Sequence, residues 1–128
     1  MLITHPKGLY TIKYDSARRV AFDVPVGLWT KEDYADYHTQ YVNKIGPAVG
    51  GQTWAVCTDV RKYKISDLGD VIAKHTEWLN ENKVQYAAII VDSAIVKMQM
   101  NRAVGGKIPQ QAFLNEQEAD EWLKSKGF

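Results

Sequence analysis

The chain has 128 residues, which suits one domain over residues 1–128 and leaves no room for a second full hydrophobic core. Its apolar fraction of 45% and charged fraction of 24% exclude a disordered or fibrous protein. The formal net charge is +1 and the basic residues are spread along the chain, which excludes a nucleic-acid partner.

Cysteine content and hydropathy predict the compartment. Cys57 has no second cysteine to pair with and lies within an apolar run, so we expect a buried, inert thiol in a reducing environment. The N-terminal residues lack a basic region followed by a long apolar run, and the longest apolar stretch covers only residues 86–91. We therefore expect no export signal, no membrane span and a cytoplasmic location.

Two alternating segments, 10–14 and 20–24, predict an N-terminal antiparallel β-hairpin. Its apolar face is predicted to carry Tyr10, Ile12, Tyr14, Val20, Phe22 and Val24. The alternating residues Arg19, Ala21 and Asp23 are predicted to lie on a face turned toward water.

A helix is predicted to follow from about Thr30, an N-cap residue, to about Ile45. Its apolar stripe holds Tyr34, Tyr37, His38, Tyr41, Val42 and Ile45. We expect Gly46 and Pro47 to end this helix, because proline cannot continue the backbone hydrogen-bond ladder.

The short apolar runs 54–58 and 86–91 are typical of buried strands, and a helical stripe lies between them. That stripe consists of Leu68, Val71, Ile72, His75 and Leu79. Strand, helix and strand in this order predict a right-handed parallel crossover.

The last third of the chain predicts a helix, a strand and a helix. Asp92 and Ser93 are predicted to cap a helix reaching about Ala103, which the pair Gly105 and Gly106 would end. A short strand over 111–114 precedes a helix opened by Asn115 and Glu118, with inner residues Ala119, Trp122 and Leu123. The element order is β-β-α-β-α-β-α-β-α, which predicts an α/β fold with helices packed on a mixed sheet.

Three stretches carry a resemblance to a known family: 54–60 with the following Ser66-Asp67-Leu68-Gly69, 86–92, and 113–123. Over nearly its full length the chain resembles the SpoIIAA-like group of the STAS superfamily, named for bacterial anti-sigma-factor antagonists. The resemblance implies a bacterial protein with a mixed sheet, in which an N-terminal hairpin is followed by parallel strands. Many members of this group have no assigned activity, and others in the superfamily bind lipids.

Known chemical motifs are missing from the sequence. Gly106 and Lys107 superficially resemble the end of a phosphate-binding loop, but Ile108 stands where serine or threonine is needed. There is no nucleophile elbow and no paired-cysteine motif, and His5, His38 and His75 lack ligand spacing. We therefore expect no catalytic residue, no metal and no cofactor.

Five residues are candidates for ligand binding. Asp59 and Asp92, with Ser93, follow apolar strands, and ligand crevices form outside the carboxyl ends of strands in open α/β sheets. The alternative is that these residues cap turns or helices. His38 and Tyr41 could line a cleft, or could be packing residues at the edge of the core.

The resemblance also implies a phosphorylation site. In regulatory STAS domains a serine at a helix start is phosphorylated by a kinase, and Ser66 stands at the matching position. Asp67 replaces the glycine of the family pattern, and its carboxylate would repel a phosphate. Alternatively, Ser66 is an ordinary N-cap.

Two functions stay open from sequence. The first is a non-enzymatic binding or regulatory module of STAS type, acting through a protein partner or a small ligand. The second is a small-ligand or lipid-binding protein, or a small enzyme, with a pocket between helices and sheet.

We also expect a homo-oligomer, because four tryptophans and seven tyrosines are many for one small domain. Its contact face would be the helix bearing Tyr34, Tyr37 and Tyr41, or the region of Met98 and Met100.

Overall fold

A computed structural model describes residues 1–64, 68–102 and 106–128. Its strands are β1 (Leu2–Thr4), β2 (Tyr10–Asp15), β3 (Val20–Pro25), β4 (Gly27–Leu28), β5 (Trp54–Asp59), β6 (Tyr63–Lys64), β7 (Val84–Ile90) and β8 (Gln110–Phe113). Its helices are α1 (Lys31–Gln40), a π-helix (Tyr41–Ile45), α2 (Gly46–Val49), α3 (Gly69–Glu81), α4 (Ala94–Arg102) and α5 (Glu116–Ser125).

The main sheet has six strands in the order β1-β2-β3-β5-β7-β8. The first three strands are antiparallel, and β3, β5, β7 and β8 are parallel. Helix α3 joins β5 to β7, as expected for strands that need a crossover connection. The predicted mixed sheet and parallel crossover are therefore confirmed.

No helix in the described ranges is long and apolar enough to cross a membrane.

The predicted facing of the hairpin is wrong for β3. The register pairs Ile12 with Asp23 and Tyr14 with Ala21, so these four side chains share one face of the sheet. Val20 lies on the opposite face and is also fully buried. Because β3 is a central strand covered on both sides, Asp23 is 2% exposed and does not face water.

Two hydrophobic clusters cover the two faces of the sheet. The first face carries Ile12, Ala21 and Val56 beneath α1, the π-helix and α3. The second face carries Val20, Cys57 and Ile90 beneath α5. Each strand of the parallel region therefore contributes alternate side chains to two separate cores.

The predicted stop at Gly46 and Pro47 is wrong, because the chain remains helical to Val49. The Gly46 N–H donates to the Tyr41 carbonyl, a five-residue step that defines the π-helix. This step shifts the hydrogen-bond ladder, so that Pro47 lies in the first turn of α2, where its missing N–H is tolerated. Gly50, at φ 66°, ends the helix in the left-handed conformation.

The later elements agree with the sequence within one or two residues. Asn115 accepts a hydrogen bond from the Glu118 N–H at 2.9 Å and caps α5. Strand β8 begins and ends one residue earlier than predicted. The predicted helix end at Ala103 and Gly105 lies outside the described residues.

Candidate functional site

A cavity of about 370 Å³ lies on the first face, between α1, α3 and the sheet. We call it the aromatic cavity. Its wall is mostly apolar and contains rings from several elements together with one carboxyl group. Those ring-bearing and acidic residues are Asp23, Trp29, Tyr34, Tyr37, Tyr41, Tyr63 and His75. Its volume is within the range of about 300 to 1,000 Å³ common for small-molecule sites.

Asp23 is the polar centre of this wall. The Tyr37 hydroxyl donates to Asp23 Oδ2 at 2.8 Å, and the Tyr41 hydroxyl donates to the same oxygen. Asp23 Oδ1 is buried and accepts no hydrogen bond from any residue that the structure describes. An unpaired buried acceptor is costly, by about 1 to 3 kcal/mol, and needs a physical explanation.

Burial raises the pKa of Asp23 to about 6, although the side chains of Tyr41, Tyr37 and Thr58 act in the opposite direction. The carboxyl group is therefore mostly ionised at neutral pH. None of the described lysine, arginine or histidine side chains forms an ion pair with it. Among the described residues, the phenol donors of Tyr37 and Tyr41 and the neutral side chain of Thr58 stabilise the negative charge.

The tyrosines remain protonated donors. Burial, and then the charge of Asp23, raises the pKa of Tyr37 and of Tyr41 well above its ordinary value. Burial also raises the pKa of Tyr63, whose hydroxyl is buried and makes no hydrogen bond. Within the described ranges, the wall of the aromatic cavity thus has two polar atoms without hydrogen-bond partners, Asp23 Oδ1 and the Tyr63 hydroxyl oxygen.

His75 connects the wall of the aromatic cavity to His38. The two Nδ1 atoms are 2.8 Å apart, so one ring donates a hydrogen bond to the other. Burial, and then the nearby His38, lowers the pKa of His75 to about 3, and its ring stacks on Trp78. Burial, and then Lys74, lowers the pKa of His38. Both imidazoles are consequently neutral at neutral pH.

No model of a protein family matches the chain, and no curated protein matches it either. A solved structure from Shewanella loihica, described as an uncharacterized protein of the DUF3478 family with a SpoIIAA-like fold, does match. It superposes with a TM-score of 0.67 and 18% identity, over 88% of this chain and 90% of that one. The chain has a SpoIIAA-like fold. The resemblance found in the sequence is confirmed at the level of the fold.

The SpoIIAA-like fold does not bring the five sequence-predicted ligand residues together. Tyr41 lies in the wall of the aromatic cavity, and His38 is hydrogen-bonded to His75 of that wall. Asp92 is exposed, and Ser93 Oγ accepts from the Val96 N–H at 3.4 Å at the start of α4. Ser93 thus acts as a helix cap in the described contacts, the alternative left open by the sequence.

Asp59 lies on the second face, beside a separate groove of about 530 Å³. Its Oδ2 is 2.7 Å from Arg61 Nη2, which also contacts Glu116 at 3.0 Å. Partial burial raises the pKa of Asp59, but the hydrogen bonds from Arg61 outweigh burial and leave it below its usual range. This carboxylate is already neutralised by a cation, in contrast to Asp23.

Two further predictions have different outcomes. Ser66 lies outside the described residues, so its phosphorylation stays a prediction. Tyr37 and Tyr41 are 5% and 0% exposed, and therefore cannot form the contact face of an oligomer. A homo-oligomer stays a prediction that light scattering would test. Of the other candidate contacts, Tyr34 is half-buried, Met98 is exposed, and the Met100 side chain lies outside the described residues.

Asp23, Trp29 and Tyr63 are site residues that the sequence patterns do not identify. Asp23 was assigned to a water-facing side, because the hairpin register was not known. A signal was available in the four-residue connection 16–19, which places Ile12 opposite Asp23 once Asp15 pairs with Val20. Tyr63 belongs to the short strand β6 and carries no periodic signal.

Proposed function

We propose that this protein binds a small, largely apolar molecule in the aromatic cavity, with a polar group of that molecule directed at Asp23. The observation that carries the proposal is the buried Asp23 Oδ1, which has no hydrogen-bond partner although it belongs to a cavity of ligand size. A ligand donor would supply the missing partner. An apolar body would fill the remaining volume.

The walls of the cavity support a small ligand over a macromolecular partner. Val56 and Leu79 supply apolar surface, and Trp29 packs against Tyr37 and Tyr63 with ring centroids 5.2 Å apart in each pair. A concave apolar site with a few fixed polar groups is the usual form of a small-molecule pocket. A flat protein interface would not need a buried carboxylate beneath two helices.

A SpoIIAA-like fold also supports the broader hypothesis of a non-enzymatic binding or regulatory module. Fold alone does not determine function, so this hypothesis depends on Ser66 and on a partner. The two roles are compatible, since a ligand could control what a regulatory surface binds. Phosphopeptide analysis of Ser66 from cells would test the regulatory part independently of the cavity.

The ligand proposal is tested with N-phenyl-1-naphthylamine, an uncharged dye that fluoresces more strongly in apolar surroundings. We expect the wild-type protein to increase its fluorescence. Ala87 lines the aromatic cavity, and Ala87→Phe should fill part of the volume and abolish the increase. Ala73→Phe is the matched control, because Ala73 is exposed on α3 and the same side chain there leaves the cavity open.

Equal fluorescence in the wild type and in Ala87→Phe would place the dye elsewhere and contradict the proposal. Native mass spectrometry of freshly purified protein gives a second readout, since a retained ligand adds a defined mass. That added mass should be lost in Ala87→Phe and kept in Ala73→Phe. The same spectra report the number of subunits.

A further inference from the structure

We propose that the ligand of the aromatic cavity is a small organic cation, an ammonium group on an apolar body, which donates a hydrogen bond to Asp23 Oδ1. This inference rests on the proposed function and names its ligand class. It follows from the charge of the wall, from its rings and from the unpaired carboxylate oxygen.

The first step is charge balance. Asp23 is a buried carboxylate with two phenol donors on Oδ2 and no cation among the described side chains. Buried charges in proteins are normally paired, because an isolated one loses its hydration without compensation. A ligand ammonium would provide the counter-charge and the partner for Oδ1 together. A charge-assisted hydrogen bond of this kind is roughly twice as strong as a neutral one.

The second step is the sign of the potential in the aromatic cavity. The described wall contains no lysine or arginine, and its single histidine, His75, is neutral because burial lowers its pKa. An anionic ligand would therefore place its charge near Asp23 with no cation to separate them. A carboxylate such as a fatty acid is disfavoured by this repulsion.

The third step is the aromatic wall. The faces of tryptophan and tyrosine rings carry negative potential and attract ammonium groups within about 6 Å of the ring centre. Trp29, Tyr34 and Tyr37 form one edge-to-face cluster with centroids 5.2 to 5.7 Å apart, and Tyr41 extends it toward Asp23. Rings around one carboxylate form an environment suited to an organic cation.

The experiment compares three probes with one skeleton: 2-phenylethylamine, 2-phenylethanol and 3-phenylpropionate. Their affinities are measured by calorimetry or by ligand-observed NMR at neutral pH. We expect the amine to bind about tenfold more tightly than the alcohol, the effect of one charge-assisted contact. The carboxylate should bind most weakly of the three.

Asp23→Asn keeps the shape of the side chain and removes its charge. We expect it to abolish the preference for the amine, so that the amine and the alcohol bind the variant with affinities within about twofold of each other, because the charge that distinguishes them is gone. Asp36→Asn is the matched control. Asp36 is an acidic residue of α1 that accepts from Tyr10 at 2.6 Å and is not part of the cavity wall.

The wild-type protein gives a readout that does not depend on the folding of a variant. Asp23 faces Tyr37 and Tyr41 from the helices and Thr58 from β5, with His75 of α3 against Tyr41. The charge of Asp59 on β5 also acts on Asp23. Of these groups only Asp23 titrates between pH 5 and 7, since the pKa values of the tyrosines are raised and those of His75 and Asp59 are lowered. Amine affinity should fall as the pH drops through about 6, whereas alcohol affinity should not change.

The outcomes separate this inference from the proposed function. If the alcohol or the carboxylate binds as tightly as the amine or more tightly, the proposal of a cationic ligand is wrong, but the proposal of a ligand-binding cavity stands. Amine preference retained in Asp23→Asn overturns the cationic ligand as well, as does a lack of amine binding to protein that binds N-phenyl-1-naphthylamine. Failure of all probes, including the dye, removes the proposed function itself.

Discussion

Asp23 is an acidic side chain that keeps its proton to a higher pH in the native state than in the unfolded chain. Its pKa rises from 3.8 to about 6 on burial, so between these values the folded protein holds a proton that the unfolded chain has lost. The contribution of Asp23 to the free energy of unfolding therefore falls as the pH rises from about 4 to about 6. The full loss is on the order of 3 kcal/mol, because one pKa unit corresponds to about 1.4 kcal/mol.

Asp23→Asn should remove this pH dependence. We expect the difference in stability, wild type minus variant, to fall between pH 4 and pH 7, measured by urea denaturation at several pH values. Asp59 and Asp120 have lowered pKa values and act in the opposite direction, but both are present in each protein and cancel in the difference. A difference that rises with pH would contradict the burial of an unpaired carboxylate.

Asp23 also shows why the burial of a single residue cannot always be predicted from the sequence. The alternation around Asp23 identified a strand, but which face is buried depends on the neighbours that cover each side. Cys57 was predicted as inert from its apolar run, and burial does raise the pKa of its thiol to about 12. The apolar neighbours of Cys57 in the sequence indicate that it is buried. The sequence around Asp23 gives no such indication, because its burial depends on helices that cover both faces of β3.

Among the elements, α2 begins at a close contact with α3. A Cβ atom added to Gly46 would lie 3.1 Å and 3.3 Å from two ring carbons of Trp78 on α3. The missing side chain at Gly46 thus allows the helix to approach Trp78, whose ring stacks on His75 of the cavity wall.

Gly46→Ala should lower the free energy of unfolding by about 1 kcal/mol. Alanine favours a helix over glycine by about 1 kcal/mol, but overpacking against the Trp78 ring costs about 1 to 3 kcal/mol. In a Trp78→Leu background the clash is relieved, and the same substitution should become neutral or stabilising. Equal effects in both backgrounds, measured by urea denaturation, would contradict the role of this contact.

Elements that depend on contacts between residues close in sequence can be predicted, whereas elements that depend on distant contacts cannot. Helices α3 and α5 have regular apolar stripes, and Asn115 forms a cap within three residues, so local sequence is sufficient. The continuation through Pro47 could not be predicted, because it depends on the shifted ladder and on packing against Trp78. The aromatic cavity likewise combines β3, α1, β6 and α3, which are distant in sequence.

For the molecule as a whole, the two cores share one sheet. Strands β3, β5 and β7 send alternate side chains into both, so neither core has a sheet of its own. Loss of packing on the second face should therefore weaken the first face as well.

Leu123→Ala should test this sharing. Leu123 is fully buried on the second face, and its truncation should cost about 2 to 5 kcal/mol. In a Trp122→Phe background, fluorescence reports only Trp29, Trp54 and Trp78 of the first face. We expect this signal and far-UV circular dichroism to shift together, with exposed Lys124→Ala as the control. Separate transitions would show two independent cores.

The position of α5 has a consequence for synthesis on the ribosome. The hairpin strand β3 and the crossover strands are complete early, but the second face stays uncovered until the residues of α5 have left the exit tunnel. Once β7 has emerged, and before α5 does, Val20, Ala55 and Ile90 lack the helix that covers them in the folded protein. We therefore expect a nascent chain that has emerged as far as β8, with α5 still in the tunnel, to be a target for a chaperone. Its release would coincide with the docking of Leu123.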